Sequence, residues 1–163
     1  MFDPEALALA ERVLALCRAR YWRVATAESC TGGLVAAALT AIADASSVVE
    51  CGFVTYANRT KTELLGVAPE TIATHGAVSA ETAAAMARGA VARAGVDLAV
   101  SVTGIAGPGG GTPQKPLGLV YVGVATKSGA ERVERRVFPG DRGDVRQAAL
   151  TLALEMLQAA ART

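Results

Sequence analysis

Aromatic side chains are scarce in this sequence, at 4% of 163 residues, so alanine, valine and leucine must build most of the core. Cysteine is scarce as well. Cys17, Cys30 and Cys51 are an odd number without metal-ligand spacing, which argues against a disulfide framework and for a reducing cytoplasm. No long hydrophobic run is present. The longest charge-free apolar stretch near the start is the 15 residues between Glu28 and Asp44, with two glycines inside, too short and too broken to span a bilayer. Neither charge sign dominates: the formal net charge of +1 offers no global attraction to nucleic acid or to an anionic membrane. The chain opens Phe2-Asp3-Pro4-Glu5, unlike the basic start of a secretory signal. Histidine occurs once, as His75, and lysine three times, as Lys61, Lys115 and Lys127, so few groups can serve as a general base. No internal repeat, heptad array or low-complexity linker is seen.

What is present suits one domain, residues 1–163, with 52% hydrophobic and 19% charged residues. Asp3 and Pro4 read as N-cap and first position of a helix ending near residues 18–20, with Leu7, Ala10, Leu14 and Cys17 on one face. "RVATA" reads as a short buried strand, followed by a helix from about Thr31 to Ala43. Residues 47–56 have strand content, and a short helix is expected over 60–65. His75 falls in a segment of turn character. Ser79 caps a helix to about Ala94, stopped by Gly95. "VDLAVSVTG" is a buried strand. The next two strands pair around Lys127 to Ala130, where Ser128-Gly129 suits a hairpin turn. A last helix runs from Asp141 to about Ala160. The sum is an α/β fold: a layered α/β/α domain with a mixed sheet flanked by helices.

Four features could carry chemistry. "TGIAGPGGGTPQKPLG" fails as a P-loop, because Gly110 and Gly111 stand where lysine and serine or threonine are needed. It fails as a dinucleotide fingerprint because Thr112 replaces the third glycine. It is either a flexible surface loop or, through Thr103 and Gly104 at a strand's carboxyl end, the rim of a ligand crevice. Ser29, beyond the first strand and before a helix, is either an N-cap, as Thr31 could be, or a nucleophile near helix amides. A nucleophile needs a base. The candidates are His75 and Lys61, and Lys61 is otherwise a solvated lysine at a helix start. Cys30 is a rival nucleophile, expected to face the core. Finally, Arg142 and Arg146 share the helical spacing of Val145 and Ala149 and so border the buried face. They either clamp an anion or pair with Asp141, Asp144 or another acid.

The segments "ATAESCTGGLVA", "ASSVVECGFVTYANRTKTELLGV", "THGAVSAETAAAMARGA", "AVSVTGIAGPGGGTPQKPLGLVYVGVA" and "FPGDRGDVRQ" together resemble the CinA C-terminal domain family, the nicotinamide-nucleotide amidohydrolases, over nearly the whole chain. The extra N-terminal domain of CinA proteins is expected to be missing, because the sequence resembles the stand-alone deamidase form. The resemblance implies hydrolysis of nicotinamide mononucleotide to nicotinic acid mononucleotide and ammonia, in pyridine-nucleotide salvage. It implies a serine mechanism without metal or cofactor, and a cytoplasmic homodimer with no nucleic-acid or membrane partner. Ser29 matches the family's nucleophile, and Tyr56 and Lys61 its other catalytic positions. Substrate contacts are expected from Thr31, Gly32, Gly33, Ser46, Ser47, Thr103, Gly104, Arg142 and Arg146, with backbone amides of Thr31 to Gly33 holding the oxyanion. The alternatives are a non-catalytic nucleotide-binding or regulatory module linked to competence or DNA damage, and an interaction protein acting through the alanine-rich helices.

Overall fold

A computed structural model describes residues 2–163. Asp3 caps helix α1 (Pro4–Ala19), its carboxylate accepting the Ala6 N–H at 2.7 Å. Strand β1 (Val24–Glu28), helix α2 (Leu34–Thr40), a 3-10 turn (Ala45–Ser47) and strand β2 (Val49–Val54) follow. Helices α3 (Asn58–Leu65), α4 (Pro69–His75) and α5 (Ala80–Ala94) lead to strand β3 (Leu98–Gly104). Strands β4 (Leu119–Thr126) and β5 (Glu131–Val137) form the expected hairpin, and α6 (Arg142–Arg162) closes the chain. The sheet order is β2-β1-β3-β4-β5. β2, β1 and β3 run parallel; β4 joins β3 antiparallel, and β5 joins β4 antiparallel at that edge. The α/β layering and the mixed sheet agree with the sequence reading.

Alternation along β1 decides what each side chain meets. Val24 faces the larger core, which also holds residues of α1, α2 and α6. Ala25 and Ala27 face a smaller core with residues of α5, Leu65 of α3 and Ala99 of β3. With helices on both faces, every β1 residue is buried, and small side chains let both layers approach. On the second face Gly89 of α5 has no room for a Cβ against the Leu65 carbonyl, so the end of α3 lies directly on α5.

Two expectations are corrected. The second helix begins at Leu34 rather than Thr31, because Gly32 and Gly33 take φ of +60° and +100° and turn the chain before the helix can start. The segment around His75 is not an open turn: Pro69 starts a short helix, α4, that ends at His75.

The connection after β1 leads to β2 on one side, whereas the crossover from β2 leads to β3 on the other. A crevice at the carboxyl ends of β1 and β3 follows from that reversal.

Candidate active site

Ser29 is the first residue beyond β1, and main-chain bonds hold it from both sides. Its N–H donates to Val102 O of β3 at 2.9 Å, and the preceding Glu28 carbonyl accepts the Thr55 N–H at 2.8 Å. The serine therefore sits wedged between the ends of the two neighbouring strands.

Glu28 is fully buried and points to the α2 side. Its carboxylate accepts the N–H groups of Gly33 at 3.1 Å, Val35 at 3.1 Å and Ala36 at 2.9 Å. It thus caps α2 from outside the helix. Gly33, in the N-cap position, has no side chain for that task, and neither Ser29 nor Thr31 performs it. The N-cap explanation of Ser29 is removed. Of the amides of Thr31 to Gly33 expected to hold an oxyanion, two are engaged: Gly33 serves Glu28, and the Gly32 N–H donates to Ser29 O at 3.0 Å.

Lys61 comes from α3, on the opposite face of the sheet. It is not a solvated lysine: it is only 1% exposed. Its Nζ donates to Thr55 O at 2.7 Å and to Ser29 Oγ at 3.1 Å. Burial pushes its pKa below the usual 10.5, with the Cys30 thiol opposing weakly. A lysine neutral at lower pH, in contact with a serine hydroxyl, is a nucleophile–base pair in geometry.

Cys30 faces the larger core, and burial raises its thiol to about 11, which makes it a poor nucleophile. His75 pairs across 3.6 Å with Glu81, and its carbonyl accepts from Lys115 Nζ. Its side chain makes no hydrogen bond to Ser29, whose hydroxyl meets Lys61 instead.

The other expected site residues divide. Tyr56 is 60% exposed, and its phenol oxygen accepts from Arg142 at 3.0 Å rather than meeting Ser29 or Lys61. Arg142 also donates to Gly107 O at 2.9 Å, so it joins the end of β2 to the glycine-rich loop. A cavity of about 430 Å³ adjoins it, lined by Gly107, Pro108, Leu117, Phe138 and Asp141 among others. Arg146 donates from Nε to Cys30 O at 3.1 Å and from a terminal nitrogen to Thr31 O at 2.9 Å. Among the described residues neither arginine pairs with an acid, so of the two alternatives the pairing with Asp141, Asp144 or another acid is not formed. Those carboxylates cap α6 instead.

Thr31 is fully buried, and its hydroxyl has no protein partner. Thr103 lies at the crevice, but its hydroxyl donates to Ala77 O at 2.7 Å. Gly104 has no room for a Cβ because β4 packs against it. Ser46 and Ser47 are not brought to the crevice. They precede β2 at the amino-terminal end of the parallel strands, where the Ser46 carbonyl accepts from Arg23 and the Ser47 hydroxyl bonds Asp44 O and Arg18. Parallel strands send their beginnings and ends to opposite edges, and no local pattern in the serine pair reveals which edge it occupies.

Sequence reasoning passed over Glu28. The available signal was an acid at a strand end followed by a helix whose N-cap glycine has no capping side chain.

A family model described as the CinA C-terminal domain matches residues 6–161. The chain is 48% identical over 157 residues to the nicotinamide-nucleotide amidohydrolase PncC of Escherichia coli K12, a match covering 96% of this chain and 95% of that protein. It is 49% identical over 160 residues to a CinA-like protein of Mycolicibacterium gilvum, covering 98% of this chain but 37% of that protein's length. Among solved structures, the competence/damage inducible protein CihA of Agrobacterium tumefaciens aligns with a TM-score of 0.96 at 46% identity, over 100% of this chain and 99% of that one.

Proposed function

The chain belongs to the CinA C-terminal domain family, and from that premise we propose that it hydrolyses the carboxamide of nicotinamide mononucleotide, giving nicotinic acid mononucleotide and ammonia. The observation that carries this reading is the 3.1 Å contact between the buried Lys61 Nζ and Ser29 Oγ. The E. coli relative, matched over nearly its full length, supplies the substrate class by its name.

In the proposed reaction Thr55 O anchors one Lys61 N–H, which leaves the lone pair of the neutral amine for the Ser29 hydroxyl proton. Ser29 Oγ bonds to the carboxamide carbon as its proton passes to Lys61. The tetrahedral oxyanion then collapses, and Lys61 returns the proton to the departing ammonia. Water, deprotonated by the same amine, adds to the acyl-serine and releases the carboxylate and Ser29. Burial of Lys61 favours its neutral form, which this sequence of proton transfers needs.

Tyr56, exposed beside Arg142, acts at the entrance, against the nucleotide rather than in the proton path. The phosphate meets Arg142, the cation next to the 430 Å³ cavity, by exchanging the contacts that the guanidinium now makes with Tyr56 and Gly107. Gly32 and Gly33 keep the turn beneath the pyridine ring slim, with Thr103 and Gly104 forming the β3 wall. The reading includes a cytoplasmic homodimer acting without metal or cofactor.

The test is ammonia release from nicotinamide mononucleotide, with the product identified by mass. The parent protein should turn over, and Ser29→Ala should lose about 10⁴-fold or more in kcat. A Ser29→Ala protein working at the parental rate would exclude the assignment. A parent that binds the nucleotide without releasing ammonia would favour a binding module.

A further inference from the structure

Arg142 and Arg146 lie one turn apart on α6, yet they engage different partners. Arg146 grips two consecutive main-chain carbonyls, Cys30 O and Thr31 O, immediately after Ser29. A guanidinium fork is shaped for carboxylates and phosphates, and among the described residues no acid pairs with this one. What it holds is the backbone of the serine turn.

We propose that Arg146 is a positioning residue that orients the Thr31 N–H as the oxyanion donor for attack by Ser29. The proposal rests on the reading of Ser29 as nucleophile. In a planar trans peptide the carbonyl and the following N–H point in opposite directions. Drawing Cys30 O toward α6 therefore aims the Thr31 N–H away from α6, toward the face of the sheet from which Lys61 arrives.

The amides further along are already engaged. Gly32 N–H donates to Ser29 O, Leu34 N–H to Thr31 O at 3.3 Å, and those of Gly33, Val35 and Ala36 to the Glu28 carboxylate. The Thr31 N–H donates to no protein acceptor among the described residues. The guanidinium also polarises the peptide whose carbonyl it holds, which makes the N–H on the far side a stronger donor. Arg146 thus supports the reaction through the backbone, without touching the substrate.

Steady-state kinetics on nicotinamide mononucleotide test this with Arg146→Met and Arg146→Lys, measured beside Ser29→Ala. Calorimetric titration with nicotinic acid mononucleotide counts binding-competent sites, so kcat is read per folded site. The expected result for Arg146→Met is a fall in kcat of roughly 10²-fold, the size of losing one oxyanion donor, with KM and product affinity unchanged. Arg146→Lys, which can hold only one carbonyl well, should fall between Met and the parent. A raised KM with parental kcat would overturn the proposal and make Arg146 a substrate contact. Parental values of both parameters would also overturn it. If Arg146→Met does not fold, Arg146→Lys decides by the same split, and a parental kcat there sinks the idea. A Ser29→Ala protein that keeps its rate defeats the nucleophile reading instead, whatever Arg146 does.

Discussion

Two glycine-bearing connections leave the carboxyl ends of adjacent parallel strands, and they have opposite characters. The turn after β1, residues 29–33, is short and largely buried. Main-chain bonds tie it to β3, and the side chains of Glu28 and Arg146 hold it from within and from α6. The connection after β3, residues 105–118, is longer, mostly exposed around Gly109 to Gln114, and tethered by Arg142 at Gly107 and by Lys115 at His75 O. Glycine is abundant in both. In the first it allows a turn dense enough to place a hydroxyl against a buried amine; in the second it forms an exposed rim. Glycine content alone does not mark a site. The occupation of the surrounding backbone groups does.

The largest contrast should come from the lysines attached to the two regions. Lys61→Met is expected to lower kcat about 10³-fold, as loss of a general base does, while Lys115→Met stays near the parental rate. Equal losses in ammonia release would erase the distinction. Lys61→Met should also raise the melting temperature near neutral pH. Burial holds the folded pKa below the unfolded 10.5, so between those two values the unfolded chain binds more protons and stability rises with pH. Below the folded pKa both states are protonated and the full cost of a buried ammonium applies. The melting-temperature gain should therefore shrink as pH climbs toward 10.5. A constant gain in melting curves across that range would contradict the burial account.

Next in size is Glu28→Ala. It strips three buried or half-buried N–H groups of their acceptor and should cost about 3 kcal/mol in urea unfolding. A loss below about 0.5 kcal/mol, the range of ordinary surface changes, would mean that the turn is not held from within.

The smallest effects compare one glycine from each connection. Gly33→Ala must keep φ near +100° and should cost about 1–2 kcal/mol. Gly109 has no neighbour within 4 Å of an added Cβ and no positive φ. Gly109→Ala should then be neutral or stabilising by up to about 1 kcal/mol, through a stiffer unfolded chain. Equal melting shifts for the two variants would collapse the comparison.

Local chemistry made much of the fold legible. Asp3, Ser79 and Asp141 cap α1, α5 and α6 as their side chains predict, because a cap bonds N–H groups two or three residues away. Gly95 ends α5 in the left-handed conformation that glycine favours, and the Ser128-Gly129 pair turns the hairpin. The α4 helix escapes the sequence because none of its seven residues is fully buried and only Ile72 packs partly on the smaller core, so no apolar stripe is shown. Ser29 stood out as a candidate from its place between a strand and a helix. Its partner stayed ambiguous because 32 residues separate it from Lys61, and no spacing rule reaches across that distance.

The partners of the arginines are hidden from the sequence for a related reason. Helical spacing placed Arg142 and Arg146 beside the buried stripe, but their partners are the Tyr56 phenol and the carbonyls of Cys30, Thr31 and Gly107, contributed by remote segments. Carbonyls are present at every residue, so composition cannot single out the ones a guanidinium will choose.

Caps, turn glycines and strand composition were therefore written in the amino-acid order, since each depends on neighbours a few positions away. The burial of Lys61 against Ser29, the engagement of Glu28 with the start of α2 and the grip of Arg146 on the serine turn arose only when α3 and α6 packed on opposite faces of the sheet. Desolvation and hydrogen-bond direction are properties of that packing, which brings together groups far apart along the chain.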